Sequence, residues 1–531
     1  MSLHGKNYIG AELSASSGET FRAANPLENR ELPENFFVAD QRDIDAALQQ
    51  AADAFQVYRR TTGEQRAAFL ERIALEIEAL GDALLERANQ ETGLPSARLV
   101  GERARTTGQL RMFAQLVREG SWVDARIDLP MPDRKPLPRV DLRGMLIPIG
   151  PVAVFGASNF PFAYSVAGGD TAAALATGNS VVVKAHERHP GTSELVASAI
   201  QRAAAACQLP AGVFSMLHGT GKAVGIPLVK HPLLQAVGFT GSHPAGRALM
   251  DAAAARPSPI PVFAEMSSLN PVFILPEALR TLSAKIAEGL RNSLVLGGGQ
   301  FCTKPGLIFG LESPEFSTFQ QELATQLEGV APVTLLHAGI RDSYERGTSR
   351  AGKIPGVKIL AKSKTASDTQ KTQAGAYTVH TDVENFFNHH ELSEEVFGPF
   401  GVIVSAPSIQ ELEQVARQLK GHLTASIHGT ATDLAKAKTL LGLLEQKAGR
   451  LIINGFPTGV EVCPAMNHGG PYPATSDVRF TAVGIRSLYR FVRPICYQDW
   501  PQDQLPLELR DENPLRIPRT VNGALVAPTS R

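Results

Sequence analysis

Two early segments of the chain carry apolar residues at the spacing of an amphipathic helix. Asp40 precedes the first segment and is expected to cap its helix. The second segment begins at the capping-box pair Thr62 and Gln65 and is expected to end before Gly93 and Pro95. The apolar positions are Ile44, Leu48, Ala51 and Phe55 in the first helix and Phe69, Ile73, Ile77, Leu80 and Leu84 in the second. Both stripes are expected to form core.

From about Gly150 the pattern changes to short β-branched runs, each followed by an Ala-rich helical stretch. Strands are predicted over 152–155 and 181–183, and helices over 163–177 and 193–206. This alternation predicts right-handed βαβ units around a parallel sheet, with ligand sites at the carboxyl ends of the strands. Three polar or flexible residues follow such strands, namely Asn159, Lys184 and Gly241.

The second half of the chain repeats this texture and predicts a second α/β domain. A helix is expected over 286–296, and strands are expected over 402–404 and 451–453. A polar stretch over 363–375 is expected on the surface, and the Pro-rich segment 494–528 is expected to be an extended arm. A chain of 531 residues also exceeds what one hydrophobic core usually serves.

The balance of charge points to small ligands rather than macromolecules. Lys plus Arg and Asp plus Glu number 52 each, so the basic surface expected of a nucleic-acid or membrane-surface binder is missing from the composition. The four cysteines are scattered without zinc-ligand spacing, and no metal is expected. Without a signal-like start or about 18 consecutive apolar residues, a reduced cytoplasmic protein is expected.

The segment from Gly297 to Gly299 places Cys302 shortly after three glycines. Glycine lets the backbone approach a ligand closely, and a nucleophile needs such access. Cysteine is also often buried for packing alone. The residues by themselves therefore leave a nucleophile and a structural thiol equally open.

Seven motifs in this order resemble the aldehyde dehydrogenase superfamily across most of the chain. They are 91–95, 156–161, 239–242 with Gly246, Glu265, Cys302, 395–399 and 453–454. The resemblance implies an α/β fold with a Rossmann-type cofactor domain, a second α/β catalytic domain and a small β oligomerisation flap. The domains implied are 1–138 with 147–266 for the dinucleotide, 267–470 for catalysis, and 139–146 with 487–531 for the flap and C-terminal arm.

The resemblance implies four catalytic candidates. Cys302 would attack the aldehyde carbon to give a thiohemiacetal and then a thioester. The amide of Asn159 and the Cys302 backbone N–H would bind the oxyanion. Glu265 would activate the hydrolytic water, although Met266-Ser267-Ser268 departs from the usual Leu-Gly-Gly after it. His468 is a secondary candidate for proton acceptor, and a loop histidine bonded to backbone is an equal alternative.

The cofactor residues implied by the resemblance lie in both predicted domains. Glycines and a serine open a helix whose N–H groups can meet a pyrophosphate, while a lysine and a glutamate hold the two riboses. These residues are Lys184, Gly241, Ser242, Gly246, Glu395 and Phe397. Glu187 favours NAD, because a carboxylate accepts bonds from a free 2′-hydroxyl and repels a 2′-phosphate. NADP stays open, since His186 and Arg188 flank Glu187.

Within the superfamily, the segments 155–164, 184–186 and 301–306 are similar to a branch of 2-oxoglutarate semialdehyde dehydrogenases and a bacterial fatty-aldehyde dehydrogenase. The first substrate favours a cation near the pocket and the second an apolar tunnel. We expect the oxo-acid semialdehyde; long-chain or other semialdehydes remain alternatives, because Phe160, Phe162 and the loop 455–457 could line either pocket. A CoA-acylating enzyme and a non-catalytic scaffold are less favoured. The flap segments 139–146 and 487–493 predict a homodimer or homotetramer.

Overall fold

Five parallel strands form the centre of the first sheet in this computed structural model, which describes residues 3–527. From edge to edge the sheet contains β11 (Val262–Glu265), β10 (Ala236–Thr240), β7 (Val152–Phe155), β8 (Val181–Lys184), β9 (Phe214–Leu217), β1 (Asn7–Ile9) and β2 (Glu12–Ser14). Strand β1 is antiparallel to β9 and to β2. The predicted parallel sheet is therefore confirmed.

Alternate residues of these strands pack into two different cores. Val152 and Val154 of β7 belong to one buried cluster, while Ala153 and Phe155 belong to another. Because both faces are covered, the strands carry continuous apolar runs instead of alternating polar residues. The carboxyl ends of the strands are then left as the edge at which polar side chains gather.

The second sheet has the same design in the second half of the chain. From edge to edge it contains β15 (Lys358–Lys362), β17 (Tyr377–Asp382), β18 (Phe400–Ala406), β13 (Leu307–Leu311), β12 (Val272–Ile274), β19 (His422–His428) and β20 (Ala448–Ile453). All neighbouring strands from β17 across the sheet to β20 are parallel. Strand β15 at the edge is antiparallel to β17. Two-stranded ribbons join β3 (Thr20–Asn25) to β4 (Arg30–Phe37) and β14 (Val333–Thr334) to β16 (Gln373–Ala374).

A third sheet combines the predicted flap with the C-terminal arm. Its order is β21 (Val492–Gln498), β6 (Leu142–Pro148), β5 (Arg126–Asp128), β22 (Arg519–Val521) and β23 (Ala524–Val526). The expected strands at 139–146 and 487–493 are thus shifted towards the C-terminus, because 485–491 forms a 3-10 helix packed by buried Leu488 and Phe491. Strand β5 lies in the same sheet although it precedes the predicted flap. The domain boundaries remain a prediction.

The helices complete the layers on the sheets. They are α1 (Gln41–Tyr58), α2 (Gly63–Glu78), α3 (Gly81–Thr92), α4 (Ser96–Glu119), α5 (Gly169–Ala176), α6 (Pro190–Ala206), α7 (Ile226–Lys230), α8 (His243–Ala254), α9 (Pro276–Val295), α10 (Pro314–Glu328), α11 (Ala338–Ala351), α12 (Val383–Asn388), α13 (Ile409–Gln418), α14 (Ala431–Lys436) and α15 (Lys438–Glu445). The caps predicted at Asp40 and Thr62 are confirmed as capping boxes.

Four predicted helices have other bounds than expected. The helix expected over 193–206, α6, begins three residues earlier at Pro190. The single helix predicted up to Gly93 is two helices, α2 and α3, because Gly81 has a positive φ of 59°. The helix predicted over 163–177 begins only at Gly169, since the buried residues before it form turns. Helix α9 begins at Pro276, ten residues before the predicted start.

The C-terminal arm folds back onto its own chain. Arg143 of β6 is 2% exposed and donates from Nη1 to the Leu509 carbonyl and to Asp511 Oδ1, both at 2.7 Å. Leu509 and Ile517 are buried in the same cluster as the first sheet. The arm is therefore packed core rather than only an extended segment. A bilayer-spanning helix is absent from residues 3–527.

Candidate active site

The Cys302 loop is shaped by the three glycines that precede it. Gly297, Gly298 and Gly299 have φ values of 57°, 70° and 67°, a conformation that L side chains rarely adopt. They turn the chain away from α9 and towards the buried Gln300, whose Oε1 accepts the Leu336 N–H at 2.9 Å. Cys302 follows in a turn before β13 and is partly buried. The glycines thus present the thiol at the sheet edge.

Cys302, His468 and Glu265 form a continuous line of contacts. The Sγ atom of Cys302 lies 3.4 Å from Nε2 of His468, and the same Nε2 lies 3.0 Å from Oε1 of Glu265. Glu265 is the last residue of β11 and is 3% exposed; His468 is 1% exposed. The backbone N–H of His468 donates to Thr481 Oγ1 at 2.8 Å, which fixes the loop that carries the imidazole. Residues far apart in sequence are therefore brought together.

The surroundings of Cys302 favour the neutral thiol. Burial raises the pKa of Cys302 well above its usual value, and the neighbouring charge of Glu265 raises it further. A thiol in this state needs a base to become a nucleophile. Atoms of Glu265, Cys302 and His468 that are able to ligate a metal also lie within 4.8 Å of one another, so the expectation of no metal stays a prediction.

Asn159 lies against the Cys302 loop from the first sheet. Its Nδ2 donates to the Gln300 carbonyl at 3.0 Å, two residues before the thiol. Its own carbonyl accepts from Arg98 Nη2 at 2.6 Å. The side-chain amide expected at an oxyanion is therefore held beside the Cys302 loop, although its present acceptor is a backbone carbonyl.

Asn270 was not singled out by the sequence, yet its side chain holds the Cys302 loop directly. It is fully buried, and its Nδ2 donates to the carbonyls of Cys302 at 2.8 Å and Lys304 at 3.0 Å. Its Oδ1 accepts from Thr424 Oγ1 at 3.0 Å. Its φ of 46° is one that Asn tolerates well. The only sequence feature that could have pointed to Asn270 is its position before Pro271, and an Asn-Pro pair is typical of an ordinary turn.

Lys304 joins the Cys302 loop to the 395–399 motif. It is 1% exposed, and its Nζ donates to the carbonyls of Val396 at 3.2 Å and Phe400 at 2.8 Å. Burial lowers the pKa of Lys304 to about 8, while the charge of Glu395 opposes the shift. A lysine inside the apolar run before β13 was the signal that sequence reasoning passed over.

A cluster of aromatic rings and arginines lies beside the thiol. The rings of Phe160 and Phe301 meet edge to face at 5.4 Å, and the Arg98 guanidinium lies 5.0 Å and 4.8 Å from their centroids. The Arg105 guanidinium lies 5.6 Å from the Phe160 ring and 5.3 Å from the Tyr164 ring. Both arginines belong to α4, so this helix supplies positive charge to the site.

Arg450 of β20 fixes the loop on the other side of Cys302. Its guanidinium donates to the carbonyls of Pro457 at 2.6 Å and Gly459 at 3.2 Å. Thr458 lies between these two residues in the chain, and its Oγ1 donates to the Thr303 carbonyl at 3.5 Å. The loop 455–457, which was expected to line the pocket, is thus held close to the nucleophile.

The candidates for binding the adenosine ribose cluster at the end of β8. Lys184 donates from Nζ to Glu187 Oε2 at 2.8 Å. Burial would raise the pKa of Glu187, but His186 and Lys184 lower it to about 2. The His186 ring stacks on His189 at 5.3 Å, and Arg188 is exposed. The Glu187 carboxylate therefore pairs with Lys184, so the Lys184 ammonium is not an unpaired cation at this position.

The remaining cofactor candidates lie after β10, in the first turn of α8 and in the loop before β18. Ser242 precedes α8 and caps it without a side-chain hydrogen bond, which leaves its hydroxyl free for another acceptor or donor. A Cβ at Gly241 or Gly246 would meet the Phe239 ring or Met266, so both positions need glycine. Phe397 is partly buried in the loop before β18. Burial raises the pKa of Glu395, while Ser267 and Lys304 lower it.

Comparisons with known proteins agree with these features. A family model described as aldehyde dehydrogenase family matches residues 13–471. Alpha-ketoglutaric semialdehyde dehydrogenase 2 of Azospirillum brasilense is 51% identical over 98% of this chain and 99% of the relative. Alpha-ketoglutaric semialdehyde dehydrogenase of Acinetobacter baylyi is 48% identical with the same two coverages. The solved structure of Staphylococcus aureus betaine aldehyde dehydrogenase in complex with NAD+ is 21% identical, with a TM-score of 0.79 over 93% of this chain and 95% of that chain.

Proposed function

Because this chain belongs to the aldehyde dehydrogenase family, we propose that it oxidises 2-oxoglutarate semialdehyde to 2-oxoglutarate, with NAD as the hydride acceptor and Cys302 as the nucleophile. The observation that carries the proposal is the contact line from Cys302 Sγ through His468 Nε2 to Glu265 Oε1, at 3.4 Å and 3.0 Å. This line supplies a nucleophile and two groups able to move its proton.

In the first step His468 accepts the thiol proton of Cys302. This requires the tautomer with Nδ1 protonated, so that Nε2 carries the lone pair facing Sγ. Once protonated, Nε2 donates to Glu265 Oε1, which stabilises the imidazolium. The thiolate then attacks the aldehyde carbon and forms a thiohemiacetal. The raised pKa of Cys302 is the reason that this base is required.

The oxyanion of the thiohemiacetal lies within reach of Asn159. When the carbonyl oxygen of the substrate enters, the Nδ2 group exchanges the Gln300 carbonyl for the developing negative charge. A charged acceptor makes a stronger hydrogen bond than a neutral one. The Cys302 backbone N–H is the second donor of this oxyanion site.

Hydrolysis of the thioester needs a base for water, and Glu265 is suited to it. Its Oε2 is buried, and no donor among residues 3–527 reaches it. That oxygen accepts a proton from water as the water attacks the thioester carbon, and the Cys302 thiolate leaves. The leaving thiolate takes back the proton held by His468, and Glu265 releases its proton to solvent, so the products are the carboxylic acid and the free thiol. A carboxylate in this position also favours water over a CoA thiol as the acyl acceptor.

The residues at the sheet edges fit a dinucleotide. The first turn of α8 follows Gly241 and Ser242, and its N–H groups suit a pyrophosphate. Lys184, at the end of β8, suits the adenosine ribose, and Glu395, in the loop before β18, suits the nicotinamide ribose. When bound, NAD accepts the hydride that the thiohemiacetal carbon loses. The Lys184–Glu187 pair favours NAD over NADP, because Glu187 already neutralises the cation that a 2′-phosphate would need.

The substrate rests on the relatives and on local charge. Two relatives of 51% and 48% identity are named as alpha-ketoglutaric semialdehyde dehydrogenases. The arginines of α4 provide the cations that a carboxylate-ended aldehyde favours more than a long apolar one does. We further propose a cytoplasmic location, supported by four free cysteines. A homodimer or homotetramer is supported by the exposed edge strand β23, which bears Leu525.

The test combines a substrate panel with the variant Glu265→Gln. The wild-type protein should reduce NAD faster than NADP and prefer 2-oxoglutarate semialdehyde to glutarate semialdehyde and to long-chain aldehydes. Glu265→Gln should give one burst of NADH per site and then slow turnover by about 10²-fold or more, because the thioester accumulates. Mass spectrometry of Cys302 would detect the bound acyl group.

Glu86→Gln, on the exposed face of α3, is the matched control and should turn over like wild type. Unchanged steady turnover of Glu265→Gln would refute the role of Glu265. A preference for long-chain aldehydes would refute the substrate, and a preference for NADP would refute the cofactor choice.

A further inference from the structure

Arg105 is a cation placed next to the catalytic groups without an ion-pair partner. One aromatic ring, Tyr164, separates it from the imidazole: the Tyr164 centroid is 6.4 Å from that of His468 and 5.3 Å from the Arg105 guanidinium carbon. Within residues 3–527 no carboxylate lies within 4 Å of its guanidinium. The positive charge is therefore directed at the site and is not cancelled by contact.

The donors of Arg105 are largely unused. Its Nη2 makes one long hydrogen bond, 3.3 Å, to the Tyr164 hydroxyl. Its buried Nε reaches no acceptor in the part of the chain that the structure describes. A buried donor without an acceptor is costly. An anionic ligand would satisfy it, and the Tyr164 hydroxyl, which accepts from Arg105, keeps its own proton to donate to the same anion.

The neighbouring charged groups make shorter internal hydrogen bonds than Arg105 does. Glu102, three residues before Arg105, accepts with Oε1 from the backbone N–H groups of Phe162 and Ala163 at 2.8 and 3.0 Å, while its buried Oε2 has no partner among the described residues. Arg98 donates to the Asn159 carbonyl and is stacked on two rings. Arg450 holds two loop carbonyls. Arg105 is the cation of this group with the weakest internal bond.

We propose that Arg105, with the Tyr164 hydroxyl, receives the carboxylate at the far end of the aldehyde substrate. This inference rests on the proposed function and assigns its selectivity to one side chain. A guanidinium binds a carboxylate through two parallel N–H donors, which fixes orientation as well as charge. The negative end is then anchored while the aldehyde end faces Cys302. Burial opposes the charge of Arg105, but the hydrogen bond to the Tyr164 hydroxyl and the nearby Glu102 raise its pKa, so the guanidinium stays charged.

The experiment compares two aldehydes of equal chain length with the variants Arg105→Gln and Arg105→Lys. The aldehydes are 2-oxoglutarate semialdehyde, which ends in a carboxylate, and pentanal, which is uncharged. In Arg105→Gln the KM for 2-oxoglutarate semialdehyde should rise about 10- to 100-fold, as expected for loss of a hydrogen-bonded charge, with a small change in kcat. Kinetics with pentanal should change much less, so the ratio of kcat/KM for the two aldehydes should fall. Arg105→Lys should retain part of the preference for 2-oxoglutarate semialdehyde, since lysine keeps the positive charge but lacks the two parallel N–H donors of the guanidinium.

Arg111→Gln is the matched control, because Arg111 lies on the same helix but its side chain is 41% exposed and pairs with Glu78. It should retain the wild-type preference. If wild type prefers 2-oxoglutarate semialdehyde and Arg105→Gln retains that preference, Arg105 is not the receptor while the proposed function stands. Loss of activity with both aldehydes would assign Arg105 to the fold and overturn the inference. A wild-type preference for pentanal would overturn both.

Discussion

Lys304 is a buried cation whose hydrogen-bond acceptors are two peptide carbonyls. Its pKa falls from 10.5 to about 8 on folding because burial penalises the charge. Between these values the unfolded chain binds more protons than the folded one, so folding stability should rise as pH rises from 8 to 10.5. The shift corresponds to about 3 kcal/mol. Urea unfolding of Lys304→Met should lack this rise when compared with wild type.

The exposed Lys353 offers the control for that measurement. Lys353→Met should follow the wild-type dependence of stability on pH between 8 and 10.5. An identical slope in wild type and Lys304→Met would mean that Lys304 keeps its ordinary protonation in the folded protein.

At the residue scale, sequence reasoning found groups whose chemistry is visible in their motif. Cys302 and Glu265 were named from motifs, and the structure brings both to His468, although their catalytic roles stay predictions. Asn270 and Arg105 were missed for a physical reason. Their importance comes from contacts with segments tens of residues away, and a lone Asn or Arg in a sequence does not reveal its partner.

At the element scale, the glycine run has the sharpest steric requirement. A Cβ on Gly299 would overlap the carbonyl of Gly398, and its φ of 67° disfavours any L side chain. Gly299→Ala should therefore lower the free energy of unfolding by about 2 kcal/mol or more and reduce kcat, because the Cys302 loop must move. Urea unfolding and steady-state assays measure both effects.

Gly442 in α15 is the opposite case and serves as the control. A Cβ there has no heavy atom within 4 Å among the described residues. Gly442→Ala should leave activity unchanged and stabilise the protein by about 0.4–1 kcal/mol, because alanine loses less backbone entropy in a helix. Equal behaviour of the two variants would contradict the steric account of Gly299.

Element prediction succeeded where local signals were strong and failed where tertiary contacts decide. The caps at Asp40 and Thr62 and the strands β7 and β8 follow from local hydrogen bonding and apolar runs. The break between α2 and α3 could not be predicted from local signals, because a single glycine within an amphipathic helical pattern is usually tolerated. The turns that precede α5 also escaped prediction, since their Ala-rich sequence is equally suited to a helix.

At the scale of the whole molecule, the C-terminal arm is part of the first core. Leu509 is fully buried in it, whereas Leu525 on β23 is 78% exposed. Leu509→Ala should cost about 2–5 kcal/mol of unfolding free energy, as for other buried leucines. Leu525→Ala should leave the unfolding of the isolated chain unchanged. If denaturant titrations gave equal, small changes in unfolding free energy for the two variants, the arm would not contribute to the core.

The fold class and the enzyme class predicted from the sequence are confirmed by the family match and by the parallel sheets. The shape of the third sheet could not be predicted, because β22 pairs in parallel with β5, almost 400 residues earlier in the chain. Domain boundaries and the oligomeric state remain predictions.

The raised pKa of Cys302 also bears on how the enzyme survives oxidants. Peroxide reacts with thiolates far faster than with thiols, so a thiol that stays protonated is protected from conversion to sulfenic acid. Cys496, on the surface strand β21, is exposed and meets such oxidants first. The burial that keeps Cys302 protonated therefore also preserves its thiol from peroxide.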